Sequence, residues 1–228
     1  MMYKEKLQEQ INALIQSYPQ LYVEESNNDF IQLRGMIRVF RSAKGFILDK
    51  SYAIEIFIPL CQEALPYVID SKGEIDKQFI HLYTNGKLCL ETDTAIRIRF
   101  INGMDLCCWM DEFVEPYFFS YEFYQRYGCF PFGERPHGFM GTIDTYQDLL
   151  HGSSPLETVK LITYAVNTPA YRGHALCPCQ SGMKLRNCHG RYLLPFMLDN
   201  RYKKIITTDL ENIRAEIETY EQTREDCQ

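Results

Sequence analysis

The stretch Ile31-Gln32-Leu33-Arg34-Gly35-Met36-Ile37-Arg38-Val39 changes the period of the chain and decides its fold class. Ile31, Leu33, Ile37 and Val39 alternate with Gln32, Arg34, Met36 and Arg38, which is the two-residue repeat of a half-buried strand. Upstream the repeat is helical. Leu7, Ile11, Leu14, Ile15 and Tyr18 share one stripe with Lys, Glu and Gln between them, and Pro19 closes the segment, predicting a helix over 4–18. A polar break at Glu24 to Asp29 separates helix from strand. Downstream, Ser42-Ala43-Lys44-Gly45 supplies turn chemistry before a second strand near Tyr52 to Ile58, and Pro66 to Ile69 reads as a short third strand. His81 to Glu91 reads as a hairpin, because Asn85-Gly86 is the favoured pair for a type I′ turn.

Beyond residue 105 the chain turns aromatic and helical, with Pro116 opening a new helix after a break. Gly128 to Gly141 is dense in glycine and proline and reads as a loop, followed by a short helix over Thr145 to Leu150. Two capping boxes mark later helices: Ser154-Pro155-Leu156-Glu157, running to about Val166, and Thr208-Asp209-Leu210-Glu211. The second places Leu210, Ile213, Ile217 and Tyr220 on one stripe. The fold class is therefore α+β, an antiparallel sheet flanked by helices with a smaller helical C-terminal region. The boundary is expected near residue 150, giving domains of 1–150 and 151–228.

The chain of 228 residues is 46% hydrophobic and 14% aromatic, which supplies a core, and 24% charged. Its net charge of −6 excludes a broad phosphate-tracking nucleic-acid surface, leaving at most a local basic patch at Lys184, Arg186 and Arg191. No apolar run reaches the roughly 18 residues of a membrane span, and the N-terminus reads as an amphipathic pattern rather than a signal peptide. A cytoplasmic location is expected.

Three of the nine cysteines fall in Cys177-Pro178-Cys179-Gln180-Ser181-Gly182-Met183-Lys184-Leu185-Arg186-Asn187-Cys188-His189-Gly190. Tetrahedral zinc takes three thiolates and one imidazole, so Cys177, Cys179, Cys188 and His189 are the expected metal ligands. The eight intervening residues, bent at Ser181-Gly182, let the chain return. Four protein ligands leave no position open for substrate, which makes the expected zinc structural. The segment resembles the SEC-C motif, the short zinc module of the SecA translocation ATPase and many bacterial proteins, but carries Gln180 where the motif usually has glycine. That resemblance implies a protein-binding adaptor role.

The other cysteine of chemical interest is Cys89, just after the expected turn, where a thiol could carry an acyl group as a thioester. A cysteine inside an apolar strand is usually a core residue. Residues 1 to about 150 resemble the ubiquitin-conjugating fold in its divergent bacterial form. The resemblance rests on the opening helix, the strand meander over 30–60, the proline turn Leu65-Pro66-Tyr67-Val68, the cysteine segment Leu88-Cys89-Leu90, Trp109, and Gly133-Glu134-Arg135-Pro136-His137-Gly138. It implies a transferase that holds the C-terminus of a ubiquitin-like protein or partner enzyme on Cys89 and passes it to an amine. A separate ATP-dependent activating enzyme is implied too, since no nucleotide motif is present, and an antiviral defence system is the implied setting.

The family's His-Pro-Asn is absent. Asn85 could donate to an oxyanion or serve only the turn. In a two-residue hairpin Leu82 would lie opposite Cys89, pointing His81 to the other face. His137 sits in the glycine-proline loop with Glu134 and Arg135, which either assist chemistry or hold the loop's shape. Cys89 with His137 would suit a cysteine hydrolase, and a non-catalytic zinc-braced adaptor is the third reading. Cys107 and Cys108 read as core, Cys61 and Cys129 as turn residues, and Cys227 as tail.

Overall fold

The computed structural model describes residues 2–61 and 63–225; Cys227 lies outside them, as does the side chain of Tyr220. The chain is α+β, with a four-stranded antiparallel sheet flanked by helices. It divides into two compact units. One holds the residues up to Ile96 with Asn102–Glu134, and the other holds Arg97–Ile101 with the residues from Arg135 onward. The division thus falls before the helix that the sequence reading assigns to the first domain.

In the first unit, α1 (Met2–Ser17) buries Leu7, Ile11 and Leu14. The strands β1 (Leu21–Ser26), β2 (Phe30–Ala43), β3 (Phe46–Pro59) and β4 (Tyr67–Asp70) follow as a meander in the order β1-β2-β3-β4. The alternation in β2 is the expected one: Ile31, Leu33, Ile37 and Val39 are buried while Arg34 and Arg38 are exposed. β2 and β3 pair along their whole length, from Phe30↔Pro59 to Ala43↔Phe46. Their two-residue connection, Lys44-Gly45, has φ 51° and 75°, so it is here that the type I′ turn forms. β1 runs into the stretch read as a polar break, sharing Glu24 to Ser26 with it. Only Leu21 of its six residues is buried, leaving little alternation to see.

Gly35 is where the chain enters β1. It sits opposite Leu21 at φ 151°, and a Cβ there would lie 1.9 Å from the carbonyl oxygen of Gln20. No side chain fits, so glycine sets how closely β1 approaches β2.

α2 (Asp93–Ile101), which contributes to both units, ends before a turn at 102–105. From Leu106 the aromatic segment is one continuous helical run with no break at Pro116: α3 (Leu106–Trp109), a π-helical turn (Met110–Val114) and α4 (Glu115–Tyr127). The Glu115 N–H reaches back five residues to the Met110 carbonyl. Pro116, which has no N–H to give, is accommodated directly after that widened turn. Trp109, Tyr117, Phe118, Phe119, Tyr121 and Phe123 are buried, so the aromatic cluster is packing. Cys108 is exposed and Cys107 half-buried, correcting the core assignment; the Asp105 cap, whose carboxylate accepts from the Cys108 N–H at 2.8 Å, turns this first helical turn outward.

The second unit is helical. Its core brings together Ile98, residues of α5 (Gly138–Leu150), α6 (Pro155–Asn167), α7 (Gly190–Leu198) and α8 (Asn200–Glu225), and two residues of the metal segment, Cys177 and Leu185. The Ser154 capping box opens α6 as expected, the Ser154 hydroxyl accepting from the Glu157 N–H at 3.2 Å. The Thr208 box opens nothing. It lies inside α8, whose buried stripe already includes Ile206 before Leu210 and Ile213. A continuous apolar stripe overrides a local cap signal. α5 begins at Gly138, inside the stretch read as loop.

Candidate functional site

The metal segment folds as a knuckle between α6 and α7. Leu176 and Lys184 form an isolated antiparallel bridge, and the Cys177 N–H donates to the Met183 carbonyl at 2.9 Å, so the chain doubles back between Cys179 and Cys188. A short 3₁₀ turn, Leu185–Asn187, then delivers Cys188 and His189 to the start of α7. Two glycine-type positions make this possible. Gln180 has φ 65°, a left-handed conformation that explains why glycine is usual there. At Gly190 a Cβ would lie 2.5 Å from the Leu185 carbonyl oxygen and 2.4 Å from the Tyr171 hydroxyl, so the residue after the histidine has no room for a side chain.

The three sulfurs and the His189 Nδ1 lie within 4.8 Å of one another. Cys177 Sγ is 3.3 Å and Cys188 Sγ 3.2 Å from Nδ1, and Cys179 Sγ is 3.5 Å from Cys188 Sγ. Tetrahedral zinc with bonds of about 2.0–2.3 Å separates its ligand atoms by about 3.5–3.8 Å. A few tenths of an ångström of expansion would seat the ion, so the donor set fits zinc in chemistry and in size. Cys177 is buried, and burial pushes its thiol up to about 12. Burial acts the same way on Cys179, but hydrogen bonds to Ser181 and to the neighbouring thiols outweigh it and pull that thiol down to about 6. The cluster therefore already favours one thiolate, the charge state in which cysteine binds metal.

His189 is held from behind. Its Nε2 lies 3.2 Å from the His151 carbonyl oxygen and 3.4 Å from Glu157 Oε1. A carbonyl and a carboxylate only accept, so Nε2 carries the proton and the Nδ1 lone pair faces the sulfurs.

Residues 175–191 match the SEC-C motif. This is a zinc-binding type of motif, and the Cys3His cluster sits inside the matched residues. No curated protein and no solved structure matches the chain.

In the first unit, the Cys89 segment runs beside β4. Leu88 N–H donates to the Val68 carbonyl at 2.9 Å and Lys87 bridges Ile69. The turn before it differs from the expected one. Gly86 N–H donates to the Tyr83 carbonyl and Tyr83 N–H to the Lys87 carbonyl, both at 2.9 Å, with Gly86 at φ 81°. This is a three-residue loop closed by a left-handed glycine rather than a two-residue type I′ turn. The extra residue shifts the register by one. Leu82 pairs with Leu88, and Cys89 N–H donates to the His81 carbonyl at 2.9 Å, so His81 lies opposite Cys89 and shares its face. A ring nitrogen of His81 lies within 4.8 Å of Cys89 Sγ.

The surroundings of this pair are specific. His81 is 3.8 Å from Glu134 Oε1, and its ring packs edge-on against Phe79 and Phe130 with centroids at 5.6 and 5.1 Å. The Tyr117 hydroxyl donates to the His81 carbonyl at 3.1 Å. Cys89 is half-buried, and burial raises its thiol above the ordinary value, reinforced by Glu91 and Asp93. A hydrogen bond from the Tyr83 hydroxyl and the charge of Lys87 pull the other way. That same bond, with burial, raises Tyr83 to about 12.

Asn85 is exposed and its carboxamide oxygen accepts from the Lys87 N–H at 3.1 Å, the hydrogen bond of a turn-forming asparagine. His137 belongs to the second unit, where it is exposed at the N-cap position of α5. Arg135 pairs there with Asp144 and, at 3.0 Å, with Asp148, both on α5 rather than on the loop. Sequence reading missed Tyr83 and His151 as site neighbours and took Glu157 only as a cap. The unused signal was the position of Glu157 at the third residue of α6, where a carboxylate is free to reach beyond its own helix.

Among the described residues no helix is long and apolar enough to cross a membrane.

Proposed function

We propose that the first unit is a ubiquitin-conjugating-like cysteine transferase, in which Cys89 carries the C-terminus of another protein as a thioester. The observation that carries this reading is the one-residue shift that sets His81 opposite Cys89. A half-buried thiol with a raised pKa is a poor resting nucleophile and needs a base within reach. His81 would take the Cys89 S–H proton as sulfur attacks the donor's thioester carbonyl, and the donor's thiolate would leave and be protonated. An amine would then attack the Cys89 acyl carbonyl, the C–S bond would break, and the imidazolium would return a proton to sulfur while the amine loses one to water. The helix-then-meander order, with the cysteine segment following β4, supports the family likeness. The zinc element has no open coordination position and would serve docking; Leu176 and Met183, 68% and 48% exposed, flank it with apolar surface.

The test is intact mass measurement after incubation with a candidate activating enzyme, ATP and a ubiquitin-like donor. A thiol-labile adduct on the native chain should be absent from Cys89→Ala and become thiol-stable in Cys89→Ser. His81→Gln should slow adduct formation by a factor of about 100, a typical contribution of general base catalysis. An adduct that survives in Cys89→Ala would overturn the assignment. Unmodified native protein with every donor tried would leave a zinc-braced docking module as the better reading.

A further inference from the structure

We propose that Glu157 and the His151 carbonyl are positioning groups for the His189 metal ligand, so that the zinc element extends beyond the motif to the corner between α5 and α6. This inference concerns the zinc element alone and stands whether or not Cys89 carries an acyl group.

The corner is built for the task. His151 caps the C-terminal end of α5, and its own backbone is left-handed at φ 57°, which turns its carbonyl out of the helix and toward Nε2 of His189. The His151 ring packs on Tyr192 of α7 with centroids 4.1 Å apart, tying that corner to the helix that begins just after His189. Glu157 reaches the same nitrogen from the first turn of α6. In an ordinary capping box its carboxylate would only return to the backbone at the helix start. Here Ser153 grips it with both donors, the hydroxyl to Oε2 at 2.7 Å and the backbone N–H to Oε1 at 3.2 Å, and this fixes Oε1 where it faces His189. One imidazole N–H thus meets a carbonyl and a carboxylate.

The chemical consequence is twofold. The two acceptors keep the proton on Nε2, which frees the Nδ1 lone pair for zinc, and they orient the ring toward the three sulfurs. Outer groups of this kind also make the imidazole a stronger donor, and their loss typically weakens metal binding by about 10–100-fold. Nothing in the Cys-His spacing encodes them, because they come from residues that precede Cys177 by 20 positions or more.

Competition between the zinc-loaded full chain and a chromophoric chelator tests the proposal, with the visible spectrum of the cobalt-substituted protein as a second readout. Glu157→Ala should lose zinc about 10-fold more readily than the native chain. Glu157→Gln, which keeps an acceptor oxygen without the charge, should recover part of that loss. Ser154→Ala is the control: it removes the helix cap, leaves Glu157 and His189 in place, and should lower thermal stability without changing zinc affinity or the cobalt spectrum. Native zinc affinity in both Glu157 variants overturns the proposal. So does a loss in Ser154→Ala as large as that in Glu157→Ala, since helix stability alone would then explain the effect.

Discussion

The chain holds two cysteine sites that are built in opposite ways. The SEC-C knuckle gathers its three cysteines and one histidine within thirteen residues, and its backbone leaves little latitude: a left-handed residue at 180, no side-chain room at 190, and a buried first cysteine. The Cys89 site gathers its groups from distant places, with Glu134 lying well beyond the turn that carries Tyr83. Its cysteine is half-buried. A closed local cluster suits a structural ion, whereas a half-buried thiol with partners gathered over distance suits the acyl carrier proposed above. The comparison teaches that cysteine spacing identifies the first kind of site and strand register the second.

The strongest way to break this comparison is to remove the metal. Chelation should unfold or loosen the knuckle and the ends of α6 and α7, a loss on the order of 10 kcal/mol of metal-linked folding energy. Hydrogen exchange should show protection lost there while amides of the β2–β3 pair keep theirs. Unchanged exchange around Cys177 and His189 would mean that the knuckle holds without an ion.

Next in size is Gly35→Ala. Its Cβ would meet a backbone oxygen, which cannot swing aside, so destabilisation of about 3 kcal/mol or more is expected from overpacking with strain. The measurement is thermal unfolding followed by near-ultraviolet circular dichroism. Zinc content, measured in parallel, should stay near one ion per chain.

Gln180→Gly should act in the other direction. It relieves a left-handed non-glycine residue worth about 1 kcal/mol, minus the loss of a long hydrogen bond from Lys160 to the Gln180 oxygen. A small rise in the midpoint of denaturant unfolding is expected; a fall would show that the Lys160 contact matters more than the backbone.

The smallest expected effect is that of Tyr83→Phe. The tyrosine donates to sulfur and so favours the thiolate, and its removal should raise the Cys89 pKa further. Below that pKa the thiolate fraction falls, and iodoacetamide alkylation at pH 8 should be slower than in the native chain. Well above the pKa the two rates should converge. Equal rates at pH 8 would show that the hydroxyl does not act on the sulfur.

Much of this architecture is legible in the residues, and the places where it is not have physical causes. The period change at residue 31 and the cysteine-histidine spacing both report short-range constraints, so β2 and the Cys3His cluster can be read directly. β1 is hidden because an edge strand with one buried residue carries almost no alternation. Asn85-Gly86 suits either of two hairpin loops, and only the pairing of the flanking residues tells a two-residue from a three-residue turn. That single difference moves His81 from the far face to the face of Cys89. The Thr208 box fails because capping is a local preference of about 1 kcal/mol, outweighed by a stripe that is already buried upstream. Glu157 and His151 stay invisible because their role depends on where a ring nitrogen ends up in space.

The widened turn at Met110–Val114 has a consequence for how this helical run tolerates change in length. Each α-helical residue advances the screw by about 100°, and the π-helical turn absorbs one residue more than a regular spiral would. Excising a single residue there would close the bulge into a regular spiral and leave Glu115 facing the guanidinium of Arg41 and the hydroxyl of Tyr18, whereas the same excision within α4 would swing everything after it around the axis. Length, at this one place, is a form of slack.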